Sequence, residues 1–211
     1  MRLTNPLLTV NNVVFERDQS VVLDGVSFAL HSGDILQIQG GNGSGKTTLL
    51  RLLTTALKPT SGDISYHGEL VSECRFNYLS TILFLGHQSA IKVSLSVAEN
   101  VAWMSGQSTA TERVKNALTM AKLLDYAQVP CQRLSAGQQR RVALLQLFLS
   151  DATIWYLDEP YTALDKEGVD MVNQCMDRHT KSGGAVVLST HQAVKLGSLR
   201  TYSLMSSAEQ V

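Results

Sequence analysis

The feature that most constrains the fold of this 211-residue chain is the glycine-rich segment GGNGSGKT at residues 40–47. It follows ILQIQ, which is typical of a buried strand, and it precedes TTLLRLLTTAL, which is typical of an amphipathic helix. Strand, loop and helix in this order match the pattern G-x-x-x-x-G-K-[ST], in which backbone N–H groups surround a phosphate. The segment therefore predicts an α/β chain, and we name residues 40–47 the phosphate loop.

The phosphate loop supplies the residues that we expect to bind a nucleotide. Its glycines let successive N–H groups face an anion, and the N-terminus of the following helix adds partial positive charge. Lys46 is expected to reach the β- and γ-phosphates, the Thr47 hydroxyl to bind Mg²⁺, and Thr48 to lie near the α-phosphate. The predicted nucleotide-binding residues of the loop are Gly40, Gly41, Asn42, Gly43, Ser44, Gly45, Lys46, Thr47 and Thr48, with Asn42 and Ser44 packing the loop.

A carboxylate pair follows a second apolar segment, TIWYL at residues 153–157. Asp158 is expected to hold Mg²⁺ through its water shell, and Glu159 to polarise the attacking water. The pair could instead begin a helix as an N-cap, an alternative that Pro160 favours. A phosphate loop in the same chain favours the nucleotide interpretation.

Four apolar segments end in polar residues, as the parallel strands of an α/β sheet covered on both faces do. They are ILQIQ (35–39), TILFLG (81–86), TIWYL (153–157) and AVVLST (185–190). Ligands bind beyond the carboxyl ends of such strands, so the residues that follow them predict one shared site. Those residues are the Gly40 loop, His87–Gln88, Asp158–Glu159 and His191.

Antiparallel strands are predicted beside this parallel core. Residues 7–34 suggest short strands with turns at Asp24–Gly25 and Ser32–Gly33, and residues 61–70 suggest another strand pair.

A helical insertion is predicted within residues 94–128. Ser96 with Glu99, and Thr109 with Glu112, are capping-box patterns that each precede apolar residues at helical spacing.

Residues 134–138, LSAGQ, form a second candidate anion site, which we name the signature loop. Ser135 and Gln138 make a capping-box pattern that begins the helix QQRRVALLQLFL, and an exposed helix N-terminus can bind an anion. One nucleotide cannot easily use both this loop and the phosphate loop of the same chain. The chain therefore contains two candidate phosphate sites.

The order of these motifs resembles the ATP-binding subunits of ABC transporters. The order is GGNGSGKT, Gln88 after a strand, LSAGQ, IWYLDEP, ALD (163–165) and His191, and the resemblance covers nearly the whole chain. It implies an ABC-type ATPase that uses ATP and Mg²⁺. The implied fold is an α/β P-loop NTPase with a RecA-like mixed core sheet, an antiparallel β subdomain and an inserted α-helical subdomain. The implied organisation is one ATP-binding domain over residues 1–211, with its core at about 1–88 and 142–211 and its helical subdomain at about 89–141.

The resemblance also implies roles for single residues. Gln88 would contact Mg²⁺ and the attacking water and link the site to the helical subdomain, and His191 would contact the γ-phosphate and help to orient Glu159. In the family, two subunits dimerise head to tail, and the signature loop of one closes on the γ-phosphate held by the other. The loop residues here are Leu134, Ser135, Ala136, Gly137 and Gln138, and Asp165 would contact the partner subunit.

The adenine contact departs from the family pattern. Many members carry an aromatic residue before the segment that corresponds to VLDGVSF, but the aligned position here is Arg17. A planar guanidinium can stack on a purine. Phe15 would lie on the same face of a strand. The sequence leaves both residues as candidates.

Local segments narrow the resemblance to the ATP-binding subunits of haem exporters in bacterial cytochrome c maturation. They include ERDQSVVLDGVSFAL and LGHQSAIKVSLSVAEN. This implies a homodimer on ATP binding, bound to integral membrane permease subunits of a cytochrome c maturation complex at the cytoplasmic face of the inner membrane. The chain would contact the membrane through these partners only and would serve haem export or release of haem from its chaperone. The ATPase of another small exporter, for a drug, ion or lipid, is the alternative, followed by a soluble ABC ATPase.

Composition argues against other classes of partner. Lys and Arg number 18 and Asp and Glu number 18, so the net charge of zero gives no basis for a nucleic-acid partner. No apolar run approaches the roughly 18 residues of a membrane-spanning helix. The three cysteines, Cys74, Cys131 and Cys175, are far apart and form no CxxC pattern, which predicts reduced thiols.

Overall fold

The computed structural model of the chain describes residues 5–88, 90–105, 112–192, 194, 196–197 and 199–204. These residues divide into two compact units. The first takes the described residues of Met1–Phe84, Ala152–Asp158 and His179–Val211, and the second those of Leu85–Asp151 and Glu159–Arg178. The helical subdomain predicted at about 89–141 falls within the second unit, which extends further in sequence at both ends. The prediction of one ATP-binding domain with those internal bounds stays a prediction.

The first unit contains an antiparallel sheet built from β1 (Leu8–Arg17), β2 (Ser20–Leu30), β4 (Ser61–Tyr66) and β5 (Glu69–Leu70). The strands lie in the order β2-β1-β4-β5. Asp18 and Gln19 both have positive φ and form the tight turn that pairs Arg17 with Ser20. The strand pair predicted at residues 61–70 is confirmed by the pairing of β4 with β5.

One predicted turn in this sheet is wrong and the other is confirmed. Strand β2 continues through Asp24–Gly25 without a reversal of the chain. Gly25 has a φ of 62°, and the pairing with β1 shifts register there, so the glycine serves a bulge rather than a reversal. The chain does turn at Ser32–Gly33, where the Asp34 N–H donates to the His31 carbonyl at 3.1 Å.

A second sheet contains all four predicted core strands. Its strands are β6 (Ile82–Leu85), β7 (Ile154–Asp158), β8 (Ala185–Ser189), β3 (Ile35–Gln39) and β9 (Leu199–Ser203), side by side in this order. The pairs β7–β8, β8–β3 and β3–β9 are parallel. Strands β7 and β8 are buried along their whole length, which explains their nearly continuous apolar sequence. Strand β9, with the mixed sequence LRTYS, was not predicted.

One hydrophobic core in the first unit joins the two sheets to helices α1 (Lys46–Leu53) and α2 (Arg75–Ser80). Within it, the hydroxyl oxygens of Tyr78 and Tyr156 lie 2.6 Å apart. The Tyr78 hydroxyl also donates to the Leu53 carbonyl at 2.7 Å. These bonds connect α2, β7 and the end of α1, the helix that follows the phosphate loop.

The second unit is helical. It contains α3 (Val97–Ser105), α4 (Glu112–Met120), α5 (Ala136–Leu144), α6 (Gln146–Leu149) and most of α7 (Lys166–Lys181). The capping box predicted at Ser96 is confirmed, because the Ser96 N–H donates to Glu99 Oε2 at 2.7 Å and the Glu99 N–H donates to Ser96 Oγ at 3.2 Å. Thr109, of the second predicted box, lies outside the described residues.

Two findings concern the whole described chain. None of its described helices is long and apolar enough to cross a membrane. Cys74, Cys131 and Cys175 are all buried and free, as the prediction of reduced thiols requires.

Candidate functional site

The phosphate loop connects β3 to α1 in the first unit. Gly43 and Gly45 have φ values of 81° and 93°, in the left-handed region that favours glycine. A Cβ at Gly45 would also lie 2.7 Å from Leu23 Cδ2 and 3.1 Å from the Val22 carbonyl oxygen, so a side chain there would displace its neighbours. No side chain caps the start of α1 at Gly45 within the described residues. The first turn of α1 therefore keeps backbone N–H groups available to an anion.

The polar side chains of the phosphate loop differ in their burial and their hydrogen bonds. Lys46 Nζ donates to the carbonyl oxygens of Gly40 and Gly41, both at 2.8 Å. The Ser44 side chain is buried, and its hydroxyl has no hydrogen-bond partner among the described residues. Buried polar atoms almost always have a partner, so the Ser44 hydroxyl fits a loop that takes a ligand. Asn42 is exposed and Thr48, in the first turn of α1, is partly buried.

Asp158 and Thr47 lie together, as the Mg²⁺ prediction requires. Asp158 ends β7 and is 3% exposed. Its Oδ2 accepts a hydrogen bond from Thr47 Oγ1 at 2.9 Å, across 111 residues of sequence. Its Oδ1 accepts one from Ser189 Oγ at 2.6 Å. Hydroxyl and carboxylate oxygens are ligands that Mg²⁺ takes, so this pair fits the metal.

Ser189 is a site residue that the sequence analysis missed. It ends β8, and the parallel register pairs it with Asp158 on β7. The segment AVVLST shows only that a strand ends in polar residues. The order of strands in the sheet decides that β8 lies beside β7 and that Ser189 therefore meets Asp158.

The β1–β2 hairpin passes beside the phosphate loop. A side chain at Gly45 would meet Val22 and Leu23 of β2. Leu23 pairs with Phe15, and Arg17 pairs with Ser20 at the tip of the same hairpin. Phe15 packs against the hydrophobic core, whereas Arg17 is exposed.

His191 is exposed, and a single residue, Thr190, separates it from the end of β8. The buried Thr190 carbonyl accepts a hydrogen bond from Gln37 Nε2 at 3.2 Å, and its Oγ1 accepts one from the Gln192 N–H at 3.1 Å. These bonds hold the backbone on both sides of His191. Gln37, inside strand β3, is a second residue that the sequence analysis missed.

Gln88 and Glu159 belong to the second unit. Gln88 is exposed shortly after β6, and Glu159 directly follows β7 with a φ of 50°, a value that is uncommon for a residue other than glycine. The backbone just before Gln88 and the backbone of Glu159 both accept hydrogen bonds from Arg140 on α5, which is 4% exposed. Its Nη1 donates to the carbonyl oxygens of Gly86 at 3.1 Å and His87 at 3.3 Å, and its Nη2 donates to the Glu159 carbonyl at 2.8 Å. The sequence shows two adjacent arginines and gives no sign of which one turns inward.

The signature loop forms the predicted helix start. The Gln138 N–H donates to Ser135 Oγ at 3.2 Å, and the Ser135 N–H donates to Gln138 Oε1 at 2.9 Å, which confirms the capping box. A surface cavity of about 630 Å³ opens beside it within the second unit. Its lining residues are Lys122, Tyr126, Ser135, Gly137, Gln138, Arg141, Ala163, Asp165 and Glu167.

Asp165 caps a helix in the structure. Its Oδ1 accepts hydrogen bonds from the Gly168 N–H at 2.8 Å, in the first turn of α7, and from Arg141 Nη2 at 2.7 Å. Both bonds favour the ionised carboxylate and lower the pKa of Asp165, the bond from Gly168 most strongly. The predicted contact of Asp165 with a partner subunit stays a prediction.

The chain is similar in sequence to a known family and to curated proteins. The chain matches the family model described as ABC transporter over residues 23–162. Curated proteins from Shigella flexneri and Escherichia coli strain K12, both named cytochrome c biogenesis ATP-binding export protein CcmA, are 43% identical to it over 190 residues. The alignments cover 90% of this chain and 91% of each relative.

Solved structures agree with the fold. An ABC transporter ATP-binding protein from Pyrococcus furiosus superposes with a TM-score of 0.81 at 26% identity, covering 93% of this chain and 96% of that one. The cbiO1 protein from Clostridium perfringens, part of the ABC transporter complex cbiONQ, gives 0.73 at 25% identity, covering 90% and 80%. The predicted P-loop NTPase fold is confirmed. The chain therefore belongs to the ABC transporter family.

Proposed function

We propose that this chain is the ATP-hydrolysing subunit of an ABC transporter complex for cytochrome c maturation, which serves haem export or release of haem from its chaperone. The observation that carries the proposal is the 43% identity, over about nine tenths of both chains, to relatives named for cytochrome c biogenesis, ATP binding and export. The geometry of the phosphate loop and of the Thr47–Asp158 pair supports the ATPase part.

The phosphate loop is proposed to hold ATP. Lys46 would move its ammonium from the Gly40 and Gly41 carbonyls to the β- and γ-phosphates, which compete well for it because they carry full negative charge. Thr47, Asp158 and Gln88 would hold Mg²⁺. Bound Mg²⁺ supplies positive charge that offsets the charge on the phosphate oxygens.

Glu159, Gln88 and His191 are proposed to act in hydrolysis. The Glu159 carboxylate would accept a proton from the attacking water, and Gln88 would orient that water. His191 would contact the γ-phosphate. Its exposed position after a backbone segment held by Gln37 supports a contact with a ligand.

Two copies are proposed to dimerise head to tail on binding ATP. The signature loop of one copy would then contact the γ-phosphate held by the other, through Ser135 and the N-terminus of α5. The exposed Ser135 and the cavity beside the loop support this use of the surface. Asp165, 63% exposed at its side chain, would contact the partner subunit.

Arg17 is proposed to stack on adenine. Its exposure at the tip of the β1–β2 hairpin, whose β2 strand passes beside Gly45, supports Arg17. The packing of Phe15 against the core leaves it less available.

The chain is proposed to work at the cytoplasmic face of the inner membrane, bound to integral membrane permease subunits. The solved relative cbiO1 is described as part of a transporter complex, which supports partners of this class. Affinity purification of the tagged chain from native membranes tests this. Recovery of permease subunits from a drug, ion or lipid exporter would favour the alternative function.

Deletion of the coding sequence tests the role in cytochrome c maturation. We expect periplasmic c-type cytochromes, measured by haem staining, to be lost and to return when the wild-type chain is supplied. Normal cytochrome levels in the deletion strain would contradict the proposal.

Glu159→Gln tests the ATPase mechanism and the dimer together. The variant should bind ATP, lose turnover by at least a hundredfold, and form a dimer in size-exclusion chromatography with Mg–ATP. Glu73→Gln, at an exposed glutamate outside the site, is the matched control and should hydrolyse ATP normally. A Glu159→Gln variant with normal turnover would remove Glu159 from its role.

A further inference from the structure

Arg140 joins two segments that lie far apart in the sequence. Its Nη1 donates to the Gly86 and His87 carbonyls, and its Nη2 donates to the Glu159 carbonyl. The guanidinium is a rigid planar fork, so bonds from its two terminal nitrogens fix the acceptors relative to each other. Because all of these atoms belong to the second unit, the connection is internal to one compact unit.

The two segments carry the residues assigned to the attacking water. Gly86 and His87 directly precede Gln88 in the chain. Glu159 has a left-handed backbone, and its carbonyl accepts a second hydrogen bond from the Thr162 N–H at 3.3 Å. A left-handed backbone at a glutamate persists only when its surroundings enforce it.

Resting on the ATPase function proposed above, we propose that Arg140 is a positioning residue for hydrolysis. It holds the backbone before Gln88 and the backbone of Glu159 at a fixed separation, so that the Gln88 amide and the Glu159 carboxylate reach the attacking water together. Arg140 acts through these two residues and contacts no reacting atom.

The test variant is Arg140→Lys, measured in the complex that retains its membrane partners. Lysine keeps the positive charge, but its single ammonium cannot reproduce a planar fork with two separate nitrogens. We expect kcat for ATP hydrolysis to fall at least tenfold and the KM for ATP to change less than twofold. The Lys46 and Thr47–Asp158 contacts belong to the first unit and do not depend on Arg140, which is why KM should hold.

Arg113→Lys is the matched control. Arg113 uses the same kind of fork in the same unit, donating through Nη2 to the Leu149 carbonyl at 3.0 Å and to Asp151 Oδ1 at 2.7 Å. It holds the end of α6 rather than the Gln88 and Glu159 segments. Both variants should lower Tm, but only Arg140→Lys should lower kcat. Equal kcat in the two variants, or a loss that appears in KM, would overturn the proposal.

A second measurement covers the case in which Arg140→Lys folds poorly. Arg140→Ala should regain part of its kcat when millimolar guanidinium is added, because the free ion can occupy the vacated space and donate to the same carbonyls. Arg113→Ala should show no such gain. Absence of rescue in folded Arg140→Ala would overturn the positioning role.

Experiments can contradict the positioning role of Arg140 and the role in cytochrome c maturation independently of each other. Normal cytochromes in the deletion strain, with slow hydrolysis by Arg140→Lys, would remove the cytochrome role and keep Arg140 as a positioning residue. Lost cytochromes in the deletion strain, with normal hydrolysis by Arg140→Lys, would keep the function and remove the inference.

Discussion

At the scale of single residues, the orientation of the Asp158 carboxylate depends partly on Ser189, a residue that belongs to none of the sequence motifs. Thr47 and Ser189 donate to its two oxygens, so the carboxylate is held in one orientation. A carboxylate bonded on both sides loses little further freedom when it takes a metal. Its orientation would therefore already be set for the proposed Mg²⁺ ion.

Ser189→Ala should weaken the use of Mg–ATP. The change leaves Asp158 Oδ1 without its bond from the Ser189 hydroxyl, and a hydrogen bond to a charged group contributes about 1.5–3 kcal/mol. We expect kcat/KM for ATP to fall about tenfold in a steady-state ATPase assay. Ser80→Ala, at an exposed serine that bonds the Asn77 carbonyl, is the control. Equal activity in the two variants would contradict the role of Ser189.

At the scale of elements, two helices in the second unit begin with the same capping box. Ser96 and Glu99 form the box at the start of α3, and Ser135 and Gln138 form the box at the start of α5. In each box the serine hydroxyl accepts a hydrogen bond from a backbone N–H three residues later, and the Ser96 hydroxyl also donates to Glu99 Oε2 at 2.8 Å. Only the capping box of α5 belongs to the signature loop. Comparing variants of the two capping serines therefore distinguishes an effect of helix capping from an effect of the signature loop.

Ser135→Ala and Ser96→Ala should both lower stability, and only Ser135→Ala should also lower activity. Each loses an N-cap worth about 1 kcal/mol, measured as the free energy of unfolding in urea. Only Ser135→Ala should lower ATP hydrolysis, by about tenfold, in the assembled complex. If Ser96→Ala lowered hydrolysis as much, the loss would follow from capping alone.

A buried tyrosine pair connects the elements of the first unit. Burial raises the pKa of both Tyr78 and Tyr156, so both hydroxyls stay protonated at physiological pH. Since the Tyr78 hydroxyl donates to the Leu53 carbonyl, the Tyr156 hydroxyl is the donor in the bond between the two tyrosines. The Tyr78 hydroxyl thus satisfies two groups, and the Tyr156 hydroxyl one.

Tyr78→Phe should therefore be more destabilising than Tyr156→Phe. The first change removes the partners of the Tyr156 hydroxyl and the Leu53 carbonyl, at a cost of about 1–3 kcal/mol. The second leaves the Tyr78 bond to Leu53 in place and should cost about 0.5–1.5 kcal/mol. Urea unfolding of both variants measures the difference. The reverse order would show that the donors are assigned wrongly.

At the scale of the whole molecule, a histidine makes stability depend on pH. The His179 ring stacks on Trp155, with ring centroids 3.8 Å apart and planes at 6°, and His179 Nε2 lies 3.1 Å from the Thr153 carbonyl. Burial lowers the pKa of His179 below its ordinary value. As pH falls below about 6.5, the unfolded chain takes up this proton first, so folding is progressively disfavoured.

The wild-type chain should lose stability between pH 7.5 and pH 5.5 more steeply than His179→Asn. The variant lacks the group that binds its proton more readily in the unfolded chain, although it is less stable at pH 7.5 because the stack is lost. The free energy of unfolding at several pH values checks this. Equal slopes in the wild type and His179→Asn would contradict the prediction.

The sequence by itself determined the features that depend on a few neighbouring residues. The phosphate loop, the apolar core strands and the capping boxes at Ser96 and Ser135 follow from residue periodicity and from bonds across three positions. The order of these motifs was enough to indicate the ABC transporter family. It was also enough to bring Thr47 and Asp158 to one site, since parallel strands present their carboxyl ends at one edge.

Only the tertiary structure decided which residues support that site. Ser189 meets Asp158 because β8 lies beside β7, and Arg140 rather than Arg141 turns toward Glu159. Strand order and helix packing join residues that are far apart in the chain, and no local pattern records such pairings. The bulge at Gly25 has the same origin, because the Asp-Gly pattern favours a turn until pairing with β1 extends the strand through it.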